Sequence, residues 1–275
     1  MNNKKVILIT GASSGMGKET ALQLIKEGHI VYGAARRVEK MQDLVKAGGY
    51  ALELDVIDEK QLESAVNQII TKQGKIDVLI NNAGYATYGS VEETPIADAR
   101  RQFDVNIFGL ARLTQLVIPY MRKQKSGKII NISSMGGKIY FPLGAWYHAT
   151  KHALEGWSDS LRLELKPFNI DVIIIEPGAI ATEFGDVMTE PMLKRSGNGP
   201  YSAVAQLMAK AVKDSYEQKN ASSPPSLIAN IISKAIQSSR PKTRYRAGKL
   251  AKPLVWMRTY LGDRIFDRVV MSQIK

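Results

Sequence analysis

Tyr147 and Lys151 stand four residues apart in the run Tyr147-His148-Ala149-Thr150-Lys151, and on a helix that spacing puts both side chains on one face. Such a pair suits proton transfer. An unperturbed phenol, with a pKa near about 10, moves protons poorly at neutral pH, and an adjacent ammonium is expected to bring the Tyr147 pKa down by stabilising the phenolate. Thirteen residues before Tyr147, at the carboxyl end of a predicted strand, Ser134 offers a hydroxyl that could hold a substrate oxygen. His148 and His152 repeat the four-residue spacing, which would suit a metal, but they lie about 100° round the helix from the Tyr-Lys face and no third ligand is near in sequence. They are read as surface or subunit-packing residues, and no metal site is expected. The 275 residues include no Cys, so disulfides, thiolate zinc sites and a cysteine nucleophile are excluded.

A second group of residues points to an anion. Thr10-Gly11-Ala12-Ser13-Ser14-Gly15-Met16-Gly17-Lys18 follows a predicted strand and runs straight into a predicted helix. Glycines at such a turn permit tight backbone geometry, and the free N–H groups and positive dipole end of the new helix suit a pyrophosphate. The stretch is not a P-loop, because Ala12 stands where that motif has Gly and Glu19 where it has Ser or Thr. It also departs from G-x-G-x-x-G, its glycines being spaced G-x-x-x-G-x-G. The second predicted strand ends in Ala34-Ala35-Arg36-Arg37, with no carboxylate until Glu39. An acid there would accept from a ribose 2′-hydroxyl, whereas Arg suits a 2′-phosphate, so the sequence favours NADP over NAD.

The elements that must position these groups alternate regularly. Strands are predicted at 6–10, 30–34, 51–56, 78–82, 128–133 and 171–176, with a seventh near 243–246. Runs such as Val-Ile-Leu-Ile are apolar throughout, as strands covered on both faces are. Between them lie predicted helices at 18–27 with Gly28 as a stop, 59–73 with Gly74 as a stop, 96–125, and 149–166 closed by Pro167. The pattern is one doubly wound α/β domain over 1–275, a mostly parallel sheet flanked by helices. Its parts are a core at 4–185, a substrate lid region at 186–239 and a basic C-terminal extension at 240–275.

Taken together these residues resemble the short-chain dehydrogenase/reductase family, whose motifs occur here in order. They are Thr10 to Gly17, Asn81-Asn82-Ala83-Gly84, Asn106, Ser134, Tyr147 with Lys151, and Pro177-Gly178 with Thr182. The resemblance spans residues 4 to about 185 and implies a Rossmann-like fold and hydride transfer. It implies that Tyr147 exchanges a proton with the substrate oxygen and that Ser134 hydrogen-bonds that oxygen. Lys151 would lower the Tyr147 pKa and bind the nicotinamide ribose, and Asn106 would hold a water in a proton relay. Cofactor contacts are implied for Gly11, Ser13, Ser14, Gly15, Met16 and Gly17, for Arg36 and Arg37 at the 2′-phosphate, and for Asp55 and Val56 near the adenine. Asn82, Ala83 and Gly84 would surround the adenosine ribose, Ile180 and Thr182 would approach the carboxamide, and Pro177 and Gly178 would also contact the cofactor. A homodimer or homotetramer is implied as well.

The apolar loop at 135–146 is expected to line a greasy pocket, and Phe184, Val187, Met188, Met192 and Leu193 to form a lid with Gly185 and Gly197 as hinges. The expected substrate is a hydrophobic ketone or aldehyde, or its alcohol, as in hydroxysteroid- and retinol-dehydrogenase-like members. The formal charge of +12 is concentrated in 240–275, which carries a net +8. Packing of that tail on its own domain or on a second subunit is preferred to a membrane-surface role, with nucleic acid third. A non-catalytic NADP-binding sensor or scaffold is the alternative from another class. The polar start and short first apolar run lead to a cytoplasmic expectation.

Overall fold

The run Val6–Thr10 forms the first strand, β1, and all five of its residues are buried. Side chains alternate across a strand, so Val6 and Leu8 enter one apolar cluster while Ile7 and Ile9 enter another. The computed structural model, which describes residues 4–217 and 221–272, contains seven such strands in one parallel sheet. After β1 come α1 (Gly15–Lys26), β2 (Ile30–Ala35), α2 (Gln42–Lys46), β3 (Tyr50–Glu53), α3 (Glu59–Gln73) and β4 (Val78–Asn81). Then follow α4 (Ile96–Phe103), α5 (Leu110–Gln124), β5 (Gly127–Ile132), α6 (Ala145–Leu165) and β6 (Ile170–Pro177). The last third adds α7 (Phe184–Ser196), α8 (Ser202–Glu217), α9 (Pro225–Gln237), β7 (Arg244–Ala247) and α10 (Ala251–Ser272). Positions 218–220 of the expected lid region and 273–275 of the basic extension lie outside the described residues.

The strands lie in the order β3-β2-β1-β4-β5-β6-β7. The chain winds outward from β1 to β3, returns to the middle at β4 and then winds the other way. The crevice beyond the carboxyl ends of β1 and β4 is therefore a topological switch point, where open α/β sheets bind their ligands. Leu62 of α3, Val117 of α5 and Leu161 of α6 pack on one face; Leu24 of α1 and Ile232 of α9 pack on the other. No helix among the described residues is long and apolar enough to cross a membrane.

The predicted strands agree closely with these, the third being shorter than expected. Helix limits differ more. The stretch 96–125 is interrupted by a π-helical turn at Asp104–Gly109, which separates α4 from α5. α6 begins at Ala145, four residues earlier than predicted, so Tyr147 sits within its first turn.

The loop at 135–146 departs from expectation. Ile139 is fully buried against Val255, Phe266 and Val270 of α10, and the Tyr140 ring meets Phe266 edge-on at 5.3 Å. Of this segment Leu143 reaches the cluster around Tyr147, while its neighbours are taken by a helix more than a hundred residues away. The tail's basic strand is tied down too. Arg244 Nε lies 3.0 Å from Glu155 Oε2, and Arg246 Nε lies 2.6 Å from Glu176 Oε2, both carboxylates being buried.

Phe266 is fully buried at this junction. Its replacement by Ala should cost roughly 3–5 kcal/mol in urea denaturation, since a large apolar side chain is lost and a cavity is left. A cost below about 1 kcal/mol would mean that α10 is not seated on the 135–141 segment.

Candidate active site

Two loops meet at the switch point, and a small polar clamp joins them. Thr10 Oγ1 accepts from the backbone N–H of Asn82 at 3.1 Å and of Ala83 at 3.0 Å. In return Asn82 Nδ2 donates to the carbonyls of Thr10 at 2.9 Å and Gly11 at 3.2 Å. The approach is so close that two glycines are obligatory. Gly11 has a φ of +68°, and a Cβ there would lie 2.8 Å from Asn82 Nδ2. A Cβ on Gly17 would lie 2.4 Å from both Asn82 Nδ2 and the Gly11 carbonyl.

The clamp leaves the start of α1 open. Ser14 is its N-cap but makes no side-chain capping bond, and Gly15, Met16 and Gly17 form the first turn. Uncapped N–H groups at a helix start favour an anion. Arg37 leans over them, donating to Ser14 Oγ at 3.3 Å and Ser13 Oγ at 3.5 Å, while Arg36 beside it is exposed. Asp55 lies beyond β3, where its Oδ1 accepts from Ile57 N and its own N–H donates to Gln61 Oε1; Val56 beside it is buried. From the other side, the chain leaving β6 passes over the same turn. Gly178 N donates to Ala247 O at 2.8 Å, Ile180 bridges to Ser223, and the Thr182 methyl sits 3.3 Å from where a Gly15 Cβ would be.

Ser134, Tyr147 and Lys151 come together across β5 and α6. Ser134 caps the short turn after β5, accepting from Gly136 N at 3.0 Å, and lies beside Tyr147. Lys151 Nζ donates to the Ile132 carbonyl at 2.8 Å and lies 5.9 Å from the centre of the Tyr147 ring. Both are buried, and the electrostatics correct the first expectation. Burial pushes the Tyr147 phenol up to about 12, with Ser134 beside it acting against this, rather than down. Burial also lowers Lys151 to about 8, with Glu155 one turn on acting against it. Withdrawal from water penalises both charged forms.

Asn106 occupies the π turn. Its Nδ2 donates to Tyr85 O at 2.9 Å and Thr150 Oγ1 at 3.1 Å, and its Oδ1 accepts from Tyr85 N at 3.2 Å. It is thus joined to Thr150, the neighbour of Lys151, and holds the segment after Gly84 against α6. The widened π turn carries Asn106 into this contact, a local irregularity of the kind common at functional sites.

His148 is not a surface residue. It is 5% exposed, accepts from Phe141 N at 3.0 Å through Nε2, and therefore presents Nδ1–H to the Gly136 carbonyl at 3.0 Å. The neutral ring ties together both ends of the 136–141 segment, and burial lowers its pKa to about 4. His152, one turn on, is exposed. Above Tyr147, Met188 and Met192 are buried with Ala86 and Tyr88, and Leu143, Met208 and Val212 are packed against them. Phe184 places its ring 5.8 Å from that of Tyr147, whereas Val187 is exposed and Gly185 lies inside α7 rather than at a bend. Tyr88 and Met208 escaped the sequence reading because no local pattern connects them to Tyr147. A polar cavity at the opposite, amino end of the sheet is structural: Lys128 Nζ there donates to the last carbonyls of α9.

Because the folded protein keeps His148 neutral down to about 4 while an unfolded histidine protonates near 6.5, the unfolded state binds more protons between these values. Stability should therefore rise with pH across that window, by on the order of 3 kcal/mol from this residue. Urea denaturation at a series of pH values should show a flatter rise for His148→Gln; an unchanged slope would place the titration elsewhere.

The sequence profile of the short chain dehydrogenases matches residues 5–192. The chain is 45% identical over 182 residues to a 3-ketodihydrosphingosine reductase of Bacteroides thetaiotaomicron, a match covering 66% of each protein. Its fold is similar to that of a short-chain dehydrogenase from Streptomyces avermitilis, with a TM-score of 0.78, 32% identity and coverage of 98% and 99% of the two chains. A closed form of serine dehydrogenase complexed with NADP+ is also similar, with a TM-score of 0.78, 26% identity and coverage of 89% and 95%. The profile spans more than half of the chain and the fold agrees along its length, and the chain belongs to the short-chain dehydrogenase/reductase family of oxidoreductases.

Proposed function

We propose that the protein is an NADP(H)-dependent reductase interconverting a hydrophobic ketone or aldehyde and its alcohol, with Tyr147 as the general acid and base. The observation that carries this is the convergence of Ser134, Tyr147 and Lys151 beside an uncapped helix start overhung by Arg37. The family's nicotinamide cofactor, when bound, supplies or takes up the hydride. The residues present fit it: the open first turn of α1 would take the pyrophosphate, with Ser13 and Ser14 beside it. Arg36 and Arg37 would meet a 2′-phosphate, and Asp55, Val56 and 82–84 the adenosine. Pro177, Gly178, Ile180 and Thr182 would flank the nicotinamide.

In reduction, the Ser134 hydroxyl holds the substrate oxygen next to the Tyr147 hydroxyl. A phenol raised to about 12 is fully protonated at neutral pH and so stands in the donor form. As Tyr147 yields its proton to the oxygen, the Lys151 ammonium, present below about 8, stabilises the phenolate left behind. Asn106 retains one lone pair on Oδ1 for a water through which Lys151 can be linked to solvent. Met188, Met192, Leu143 and Tyr88 above Tyr147 exclude water and favour an apolar substrate. A relative named for a long-chain ketone, 3-ketodihydrosphingosine, agrees with that class.

Replacing Tyr147 by Phe should leave NADPH binding intact and reduce ketone-dependent NADPH oxidation by roughly 10²–10⁴-fold. Retention of full activity across lipophilic ketones and aldehydes would overturn the role given to Tyr147. NADPH should bind more tightly than NADH, and Arg37→Ala should weaken NADPH binding about tenfold or more with little effect on NADH. Equal affinities in the parent protein would remove the NADP preference.

A further inference from the structure

We propose that the outward face of α10 is a docking surface for an anionic lipid bilayer. The inner face is accounted for by Ala251, Val255, Phe266 and Val270, all buried. The outer face is not. Trp256 is 56% exposed and Tyr260 71%, their rings 5.7 Å apart on successive turns. Leu261 and Ile265, again four apart, are 40% and 43% exposed across the bend at Gly262. Single exposed apolar residues are ordinary, but here four large ones stand exposed within ten residues of α10, on both sides of the non-helical Gly262.

Its charge says what covers it. Lys252, Arg264 and Arg268 are exposed on the same helix, and none of the three makes an ion pair among the described residues. The two acids of the helix have partners, Asp263 pairing with Arg258 of the same helix at 2.6 Å and Asp267 accepting from the Tyr140 hydroxyl at 2.8 Å, and against them the helix carries Lys252, Arg258, Arg264 and Arg268. A shallow groove with Lys252 on its rim runs alongside Trp256 and Tyr260. A second copy meeting this face with its own would set cation against cation, whereas an anionic headgroup layer satisfies the cations and receives the rings at its interface. Because the helix is bent and cannot span a bilayer, it would lie along the surface. The inference is independent of the reaction proposed above.

The full chain should sediment with mixed phosphatidylcholine–phosphatidylglycerol vesicles at least tenfold better than with pure phosphatidylcholine vesicles, and binding should weaken as salt is raised. Of the three tryptophans, Trp256 should carry a blue shift in emission on binding, lost in Trp256→Phe. The combined variant Lys252→Gln, Arg264→Gln, Arg268→Gln should lose most vesicle binding while keeping the parent's melting temperature and NADPH affinity. Vesicle binding that ignores lipid charge, or that survives in this variant, would overturn the proposal. So would a dimer in sedimentation equilibrium that dissociates when Trp256 and Tyr260 are both replaced by Ser, or a nucleic acid bound more tightly than the anionic vesicles.

Discussion

The clamp between Thr10 and Asn82 is the contact on which the site depends. Four hydrogen bonds fasten the loop after β1 to the loop after β4 across the switch point. Asn82 thereby takes up the carbonyls of Thr10 and Gly11 at the turn. The cost falls on sequence: the side-chain amide occupies the space where a Cβ of Gly11 or Gly17 would be. With the turn held this way, the first N–H groups of α1 face outward beyond the sheet, where they can meet an anion. Thr182 and Arg37 then close on a turn whose shape is already set.

A second constraint runs through buried charge. Glu155 and Glu176 are almost wholly withdrawn from water, and a lone carboxylate there would be costly. Arg244 and Arg246 of β7 compensate them, with Lys138 adding a third cation at 3.1 Å from Glu155. Glu155 is one turn from Lys151 and opposes the loss of its charge. The last strand therefore does more than extend the sheet: its Arg244 sets a cation against Glu155, beside the helix face that carries Tyr147 and Lys151. Part of the tail's positive charge is internal for this reason, and the remainder lies on the outside of α10.

Much of the fold was legible in the chain. Strands β1, β2, β4, β5 and β6 announce themselves by short, largely apolar runs, because two-sided burial favours apolar side chains on both faces. Gly74 marked the end of α3 because few residues other than glycine readily enter the left-handed conformation found there. The π turn at Asp104–Gly109 was invisible, since a single wide turn leaves helical periodicity almost unchanged on either side. The apolar loop at 135–146 was read as a pocket wall for a related reason: hydrophobicity says that a segment seeks burial and says nothing about where. Ile139 found α10, and Leu143 found the cluster over Tyr147.

Sequence by itself determined the order of elements, the glycine turn and the identities of Ser134, Tyr147 and Lys151, because each is a matter of local spacing or of one residue's chemistry. Tertiary structure alone decided their electrostatic state. Proximity of a lysine led to the expectation of a lowered Tyr147, yet the phenol is raised, because desolvation depends on everything packed around it. His148, read from its spacing as a surface or subunit-packing residue, is a buried brace for the same reason. Spacing along a chain is written in the residues; withdrawal from water belongs to the assembled molecule.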